Sequence, residues 1–194
     1  MKAVLVAVVA AGAGALAGWF GGVHLAELAV EGRLFTSAQI NDYGSWQSSQ
    51  ALGAADGDPI LIAWIARTGI LPLARSEVAY FFTDKDSEQR PLDPDCEYRV
   101  SVPATDARWW SVTVYDEARK PIANRLDRYS FNSDSGISTF TMARSAPADE
   151  AAWLPLGESR GIELLFRVYQ PGPGFDPAAE GAMPSVQRSG ACSG

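Results

Sequence analysis

The run Arg108-Trp109-Trp110-Ser111-Val112-Thr113-Val114-Tyr115-Asp116 constrains the fold more than any other stretch of the chain. Between Trp109 and Tyr115 every residue is aromatic, β-branched or serine, which is the composition of a pleated strand. As a strand it puts Trp110, Val112 and Val114 on one face and Trp109, Ser111, Thr113 and Tyr115 on the other. The first face is apolar and belongs to a core. The second carries aromatic rings at its ends and two hydroxyls between them. The run is therefore expected to be a central strand of an antiparallel sheet or sandwich, paired by the segments before and after it.

Those segments read the same way. Glu77–Thr83 is a strand, and Cys96–Val102 alternates with Cys96, Tyr98, Val100 and Val102 on one face. Arg128–Asn132 and Ile137–Ala143 are further strands, Trp153-Leu154-Pro155 is a fixed corner, and Gly161–Tyr169 presents Ile162, Leu164, Phe166 and Val168 to one side. Pro171-Gly172-Pro173-Gly174 ends that strand, and the tail beyond it reads as irregular. About seven short strands separated by turn signals predict a mainly β chain, a jelly-roll-like antiparallel β-sandwich and not an α/β fold. Upstream, Asp58-Pro59-Ile60 opens a short helix that Gly69 stops. That helix is apolar almost all round and is expected to be buried. Asn41-Asp42-Tyr43-Gly44-Ser45-Trp46 reads as a turn-rich connection. The domain division is then 1–30 as a membrane segment, 31–57 as linker and 58–194 as the β domain.

From Ala3 to Val23 the chain has no charge, about the 20 residues needed to cross a bilayer as a helix. Two readings compete. In one, Lys2 and the apolar run form a signal peptide cleaved near Ala17, at Ala15-Leu16-Ala17. In the favoured one, residues 3–23 stay as an uncleaved signal anchor in the bacterial inner membrane. Trp19 and Phe20 then lie near the outer interface, and Gly14, Gly18 and Gly22 form a helix-packing ridge toward a membrane-protein complex. Both readings place the β domain in the periplasm, where a disulfide between Cys96 and Cys192 is favoured over two unrelated thiols. A formal net charge of −7 and no cluster of Lys or Arg argue against nucleic acid as a partner.

The succession Trp109-Trp110-Ser111-Val112-Thr113-Val114-Tyr115-Asp116, Asn124, Arg128-Tyr129-Ser130, Trp153-Leu154-Pro155 and Phe166-Arg167-Val168-Tyr169-Gln170-Pro171 resembles the domain of unknown function 1214. Tyr80-Phe81, Pro91-Leu92-Asp93 and Tyr98 extend the likeness, which covers about Ser76 to Arg188. It implies a jelly-roll-like sandwich in a bacterial envelope protein, often accompanied by a second unknown domain, in whose place a membrane segment is expected here. Ala152 departs from the family pattern, which has Asn before Trp-Leu-Pro. No reaction comes with the resemblance.

No catalytic set, metal site or cofactor is expected from the residues. His24, the only histidine, lies at the membrane boundary, and Lys85 and Lys120 lie in polar turns. Asp84-x-Asp86-x-Glu88 with Asp95 faintly resembles a calcium loop, but Gln89 stands where the sharp turn requires Gly. The candidate ligand-binding residues are Trp109, Tyr115, Arg125, Arg128 and Tyr129, because rings stack on apolar faces and arginine supplies forked donors. The competing reading is that the rings cover the sheet and the arginines pair with Asp116 and Asp127. The leading expectation is a non-catalytic accessory or interaction module. A binding module for a carbohydrate or other small envelope ligand is the alternative, and an enzyme of unrecognised type the third.

Overall fold

The structure, a computed structural model, describes residues 2–30, 40–49, 73–74, 76–190 and 192; within the α-helix at 2–30, side chains are described for 10–25. The chain divides into two compact units, and the second, Gln39–Ala55 with Pro72–Gly194, holds all the described strands. The first contains helix α1, Lys2–Val30. Its side chains at Leu16, Trp19, Phe20, Val23 and Leu25 are exposed. Among the described residues no helix is long and apolar enough to cross a membrane. The helix expected from Asp58 to Gly69 lies outside the described residues.

Among the described residues the β unit has ten strands: β1 (Ile40–Tyr43), β2 (Trp46–Ser49), β3 (Val78–Thr83), β4 (Tyr98–Ser101), β5 (Ala107–Asp116), β6 (Ser130–Asn132), β7 (Thr139–Ala143), β8 (Trp153–Pro155), β9 (Ile162–Pro171) and β10 (Ser185–Arg188). They form a six-stranded sheet, β1-β2-β3-β9-β5-β6, and a four-stranded sheet, β10-β4-β7-β8. Strand β5 is interior as expected, held by β9 on one side and β6 on the other. Register aligns Phe81, Phe166, Val112 and Phe131 in one row across β3, β9, β5 and β6. All four are buried, and Phe131 stacks on Phe140 of β7 at 4.5 Å between ring centroids. Tyr98, Val100, Met142, Leu154 and Val186 of the smaller sheet complete the same core. Each such side chain contributes about 1.5–3 kcal/mol by leaving water.

Three expectations are corrected here. Residues 40–49, read as connection and linker, form the hairpin β1–β2 at the edge of the large sheet. The pattern was hidden because only Trp46 is buried in it, with its indole N–H bonded to the Pro184 carbonyl at 2.7 Å. The Trp153 corner is strand β8, and it runs parallel to β7, so the smaller sheet is not wholly antiparallel. Trp153 Nε1 donates to the Ala143 carbonyl and fixes that pairing. The tail read as irregular returns as β10, pairing with β4 through four residues of which only Val186 is apolar. Periodicity cannot reveal a strand with one core position.

The tail is fastened by a Cys96–Cys192 disulfide spanning 96 positions of sequence. In the chain-entropy view, closing so long a loop stabilises the fold by about 4–5 kcal/mol. At the end of β9, the Asp106 carbonyl accepts from Gly172 N–H and its carboxylate from Gly174 N–H, both at 2.8 Å. A Cβ at Gly172 would overlap the Asp106 carboxylate. Gly172→Ala is therefore expected to cost about 1–3 kcal/mol, read as a lower urea midpoint; an unchanged midpoint would mean this contact is not formed. In the non-reduced native protein both cysteines should resist maleimide, and reduction should lower Tm. Labelling of both thiols would remove the bridge.

Candidate functional site

The site arises on the second face of β5 and β9. Register brings Trp109 opposite Tyr169, Ser111 opposite Arg167, Thr113 opposite Leu165 and Tyr115 opposite Glu163. The middle of this face is closed: Ser111, Thr113, Tyr80 and Leu165 are buried. Arg167 donates to Thr113 Oγ1 at 3.1 Å and to the Tyr115 hydroxyl at 2.6 Å, with its guanidinium 5.8 Å from the Tyr115 ring centroid. At the Tyr115 end, burial pushes the Glu163 carboxyl up; Arg119 opposes the shift and Asp84 adds to it.

The Trp109 end is open. A groove of about 630 Å³ is lined there by Leu73, Glu77, Arg108, Trp109, Asp134, Tyr169 and Gln170. Trp109 is pinned on two sides: its indole N–H donates to Asp134 Oδ2 at 2.9 Å, and Tyr169 meets it edge to face at 5.1 Å. Asp134 is itself placed by a short 3₁₀ turn, Ser133–Ser135, which the Asn132 side chain caps by accepting from the N–H groups of Asp134 and Ser135. Beside the rings, Arg108 Nη1 donates to Gln170 Oε1 at 3.2 Å, and Gln170 Nε2 donates to Glu77 Oε2 at 3.1 Å. Tyr80 accepts from the Leu73 N–H and sets that rim. Gln170 has φ +44, a left-handed backbone that costs a non-glycine residue about 1–3 kcal/mol and that clusters at functional sites. Its N–H, donating to the Glu77 carbonyl at 2.7 Å, helps hold it there. The arrangement offers a rigid aromatic surface beside forked donors and carboxylate acceptors.

The five residues singled out from sequence do not converge. Trp109 lines the groove, whereas Tyr115 is about 20 Å further along the same strand and bonded to Arg167. Arg128 is a clamp: its Nη1 donates to the carbonyls of Glu150, Ala151 and Trp153, and its guanidinium lies 5.4 Å from the Phe131 ring centroid. Arg125 pairs with Glu150 at 2.6 Å and lies over Trp153, and Tyr129 donates to Asp127 at 3.3 Å. The expected arginine partners Asp116 and Asp127 are thus replaced by the 150–153 loop. Tyr169, Gln170, Glu77, Arg108 and Asp134 were not picked out as a site. Tyr169 alternates with the core face of β9 and so was legible as outward-facing, but its pairing with Trp109 needs the register.

On α1, added Cβ atoms at Gly14, Gly18 and Gly22 would meet nothing within 4 Å. The acidic turn after β3 is internally bonded. Asp86, fully buried, accepts from the N–H groups of Glu88 and Arg90 at 2.9 Å and from Arg90 Nε at 2.7 Å, while Gln89 adopts φ +66 where a calcium loop has Gly. Burial alone would raise the Asp86 carboxyl, but the bonds from Arg90 and Glu88 and the Arg90 charge prevail and lower it. A lowered carboxyl stabilises the fold above its ordinary value of 3.8 and loses that contribution as pH falls through the folded value. Asp86→Asn should therefore flatten the acid limb of the urea midpoint between about pH 5 and pH 2; an unaltered limb would show that other groups set it.

No curated protein matches the chain. Among solved structures, the VPA0106 protein of Vibrio parahaemolyticus superposes with a TM-score of 0.54 at 23% identity, covering 88% of this chain and 43% of the other. This chain thus spans less than half the length of that neighbour. A putative uncharacterized protein from Burkholderia cenocepacia gives a TM-score of 0.40 at 16% identity, over 57% of this chain and 29% of the other. The first likeness agrees with the two-sheet fold. The family described as "Protein of unknown function (DUF1214)" matches residues 77–173, half of the 194-residue chain, from the start of β3 through the end of β9. With β5, β9 and all of the groove's lining except Leu73 inside that match, the chain belongs to the DUF1214 family.

Proposed function

We propose that this chain is a membrane-anchored bacterial envelope protein whose β unit is a non-catalytic accessory module acting by binding. The observation that carries the binding role is the groove at Trp109 and Tyr169, whose charged side chains are bonded to fixed neighbours. Pinned rings with a few placed polar groups are the composition of a small-ligand surface.

The address rests on α1 and on the disulfide. The helix has 29 residues, about 43 Å of length, and its sequence carries no charge from Ala3 to Val23. The Cys96–Cys192 bridge suits an oxidising compartment, which is the periplasm for a domain carried across the inner membrane. Expressed in a bacterial host, the chain should sediment with inner membranes, resist alkaline extraction, and retain Lys2 by intact mass. A soluble periplasmic chain beginning near Gly18 would replace the anchor with a cleaved signal and leave the binding role standing.

A further inference from the structure

We propose that the groove at Trp109 and Tyr169 binds a neutral saccharide, an inference that rests on reading the β unit as a binding module. A pyranose ring has one face of C–H groups and a rim of hydroxyls that both donate and accept. The groove has the matching parts. Trp109 and Tyr169 meet edge to face at 70°, and the Asp134 bond holds the indole in that orientation, so an aromatic ring is offered with little ordering cost.

Next to that surface stands the chain Arg108–Gln170–Glu77. Glu77 accepts through Oε2 and Asp134 through Oδ2, so these bonds leave one oxygen of each carboxylate as an acceptor for hydroxyls. Arg108 and Gln170 supply N–H donors. A ligand must therefore both donate and accept, as vicinal hydroxyls do. An amine or quaternary ammonium would satisfy the carboxylates but leave the donors of Arg108 and Gln170 unmatched. An anionic ligand meets two carboxylates against one guanidinium, on a chain of net charge −7. Charge and hydrogen bonding together select a neutral, hydroxyl-rich molecule.

Gln170 sits at the joint of this arrangement. Its left-handed backbone lies within β9 where the Arg108 side chain reaches it, and its amide bridges both charged neighbours. Gly at this position would relax the backbone and remove the bridge, so stability and binding should move in opposite directions.

The test uses the full-length chain in mild detergent, titrated by calorimetry and tryptophan fluorescence. The probes are tetrasaccharides of glucose and of N-acetylglucosamine, with trigalacturonate and choline alongside. Saturable binding of a neutral tetrasaccharide is expected, weakened about tenfold by Trp109→Ala. Gln170→Gly should weaken it too, without lowering Tm, which guards against a misfolded Trp109 variant. Binding of trigalacturonate alone, lost in Trp109→Ala, would overturn the neutral ligand, and binding of choline alone would overturn the saccharide; either would keep the binding module. No binding by any probe, or binding indifferent to both substitutions, would overturn the groove as a site altogether.

Discussion

The antiparallel pairing of β5 with β9 is the constraint on which the β unit depends. These are its two longest strands, in register from Ala107 opposite Pro171 to Asp116 opposite Ile162. Side chains alternate across a strand, so this one register decides both faces together. On the inner face it sets Val112 against Phe166, in the row that reaches Phe131 and, through Phe140, the second sheet. On the outer face it sets Trp109 against Tyr169. A slip of one residue would expose the core row and separate the two rings. Core and groove are consequences of the same ladder.

Around that ladder, many polar side chains serve the backbone of loops. Arg144 donates to the carbonyls of Gly157 and Ser159 and pairs with Asp95, while Arg128 closes on the carbonyls of 150–153. Asn124 binds the Arg128 N–H and carbonyl with one amide. Asp106 and Asp86 each collect N–H groups of a turn. Long connections between short strands leave backbone groups without sheet partners, and fixed side chains satisfy them. Several residues that look chemically capable in the sequence are engaged in this way. Arg125 and Arg128 are bonded to the 150–153 loop, and Tyr129 to Asp127.

Much of the fold was legible before any coordinates. The strands at Val78–Thr83, Ala107–Asp116 and Ile162–Pro171 have clean alternation or dense β-branched runs, and they form the middle of the large sheet. What escaped was the periphery. β1, β2, β8 and β10 are three or four residues long, and the first two and the last carry few core positions, so tertiary partners and not local pattern create them. Of the candidate site, Trp109 was legible as an aromatic on the outer face. Its partners Glu77, Asp134 and Gln170 lie 32, 25 and 61 positions away in the chain, where no spacing rule links them.

By itself, then, the amino-acid order determined which residues alternate, where turns must fall, that residues 3–23 are apolar and carry no charge, and that its ordered motifs resemble those of DUF1214. These are properties of neighbours a few residues apart, set by the two-residue period of a strand and by turn chemistry. Only the tertiary structure decided which strands lie side by side, that the tail returns to pair with β4, and which aromatic rings share a groove. Pairing joins residues scores of positions apart, and the free energy that selects it comes from burial of a whole core. No segment carries that information alone.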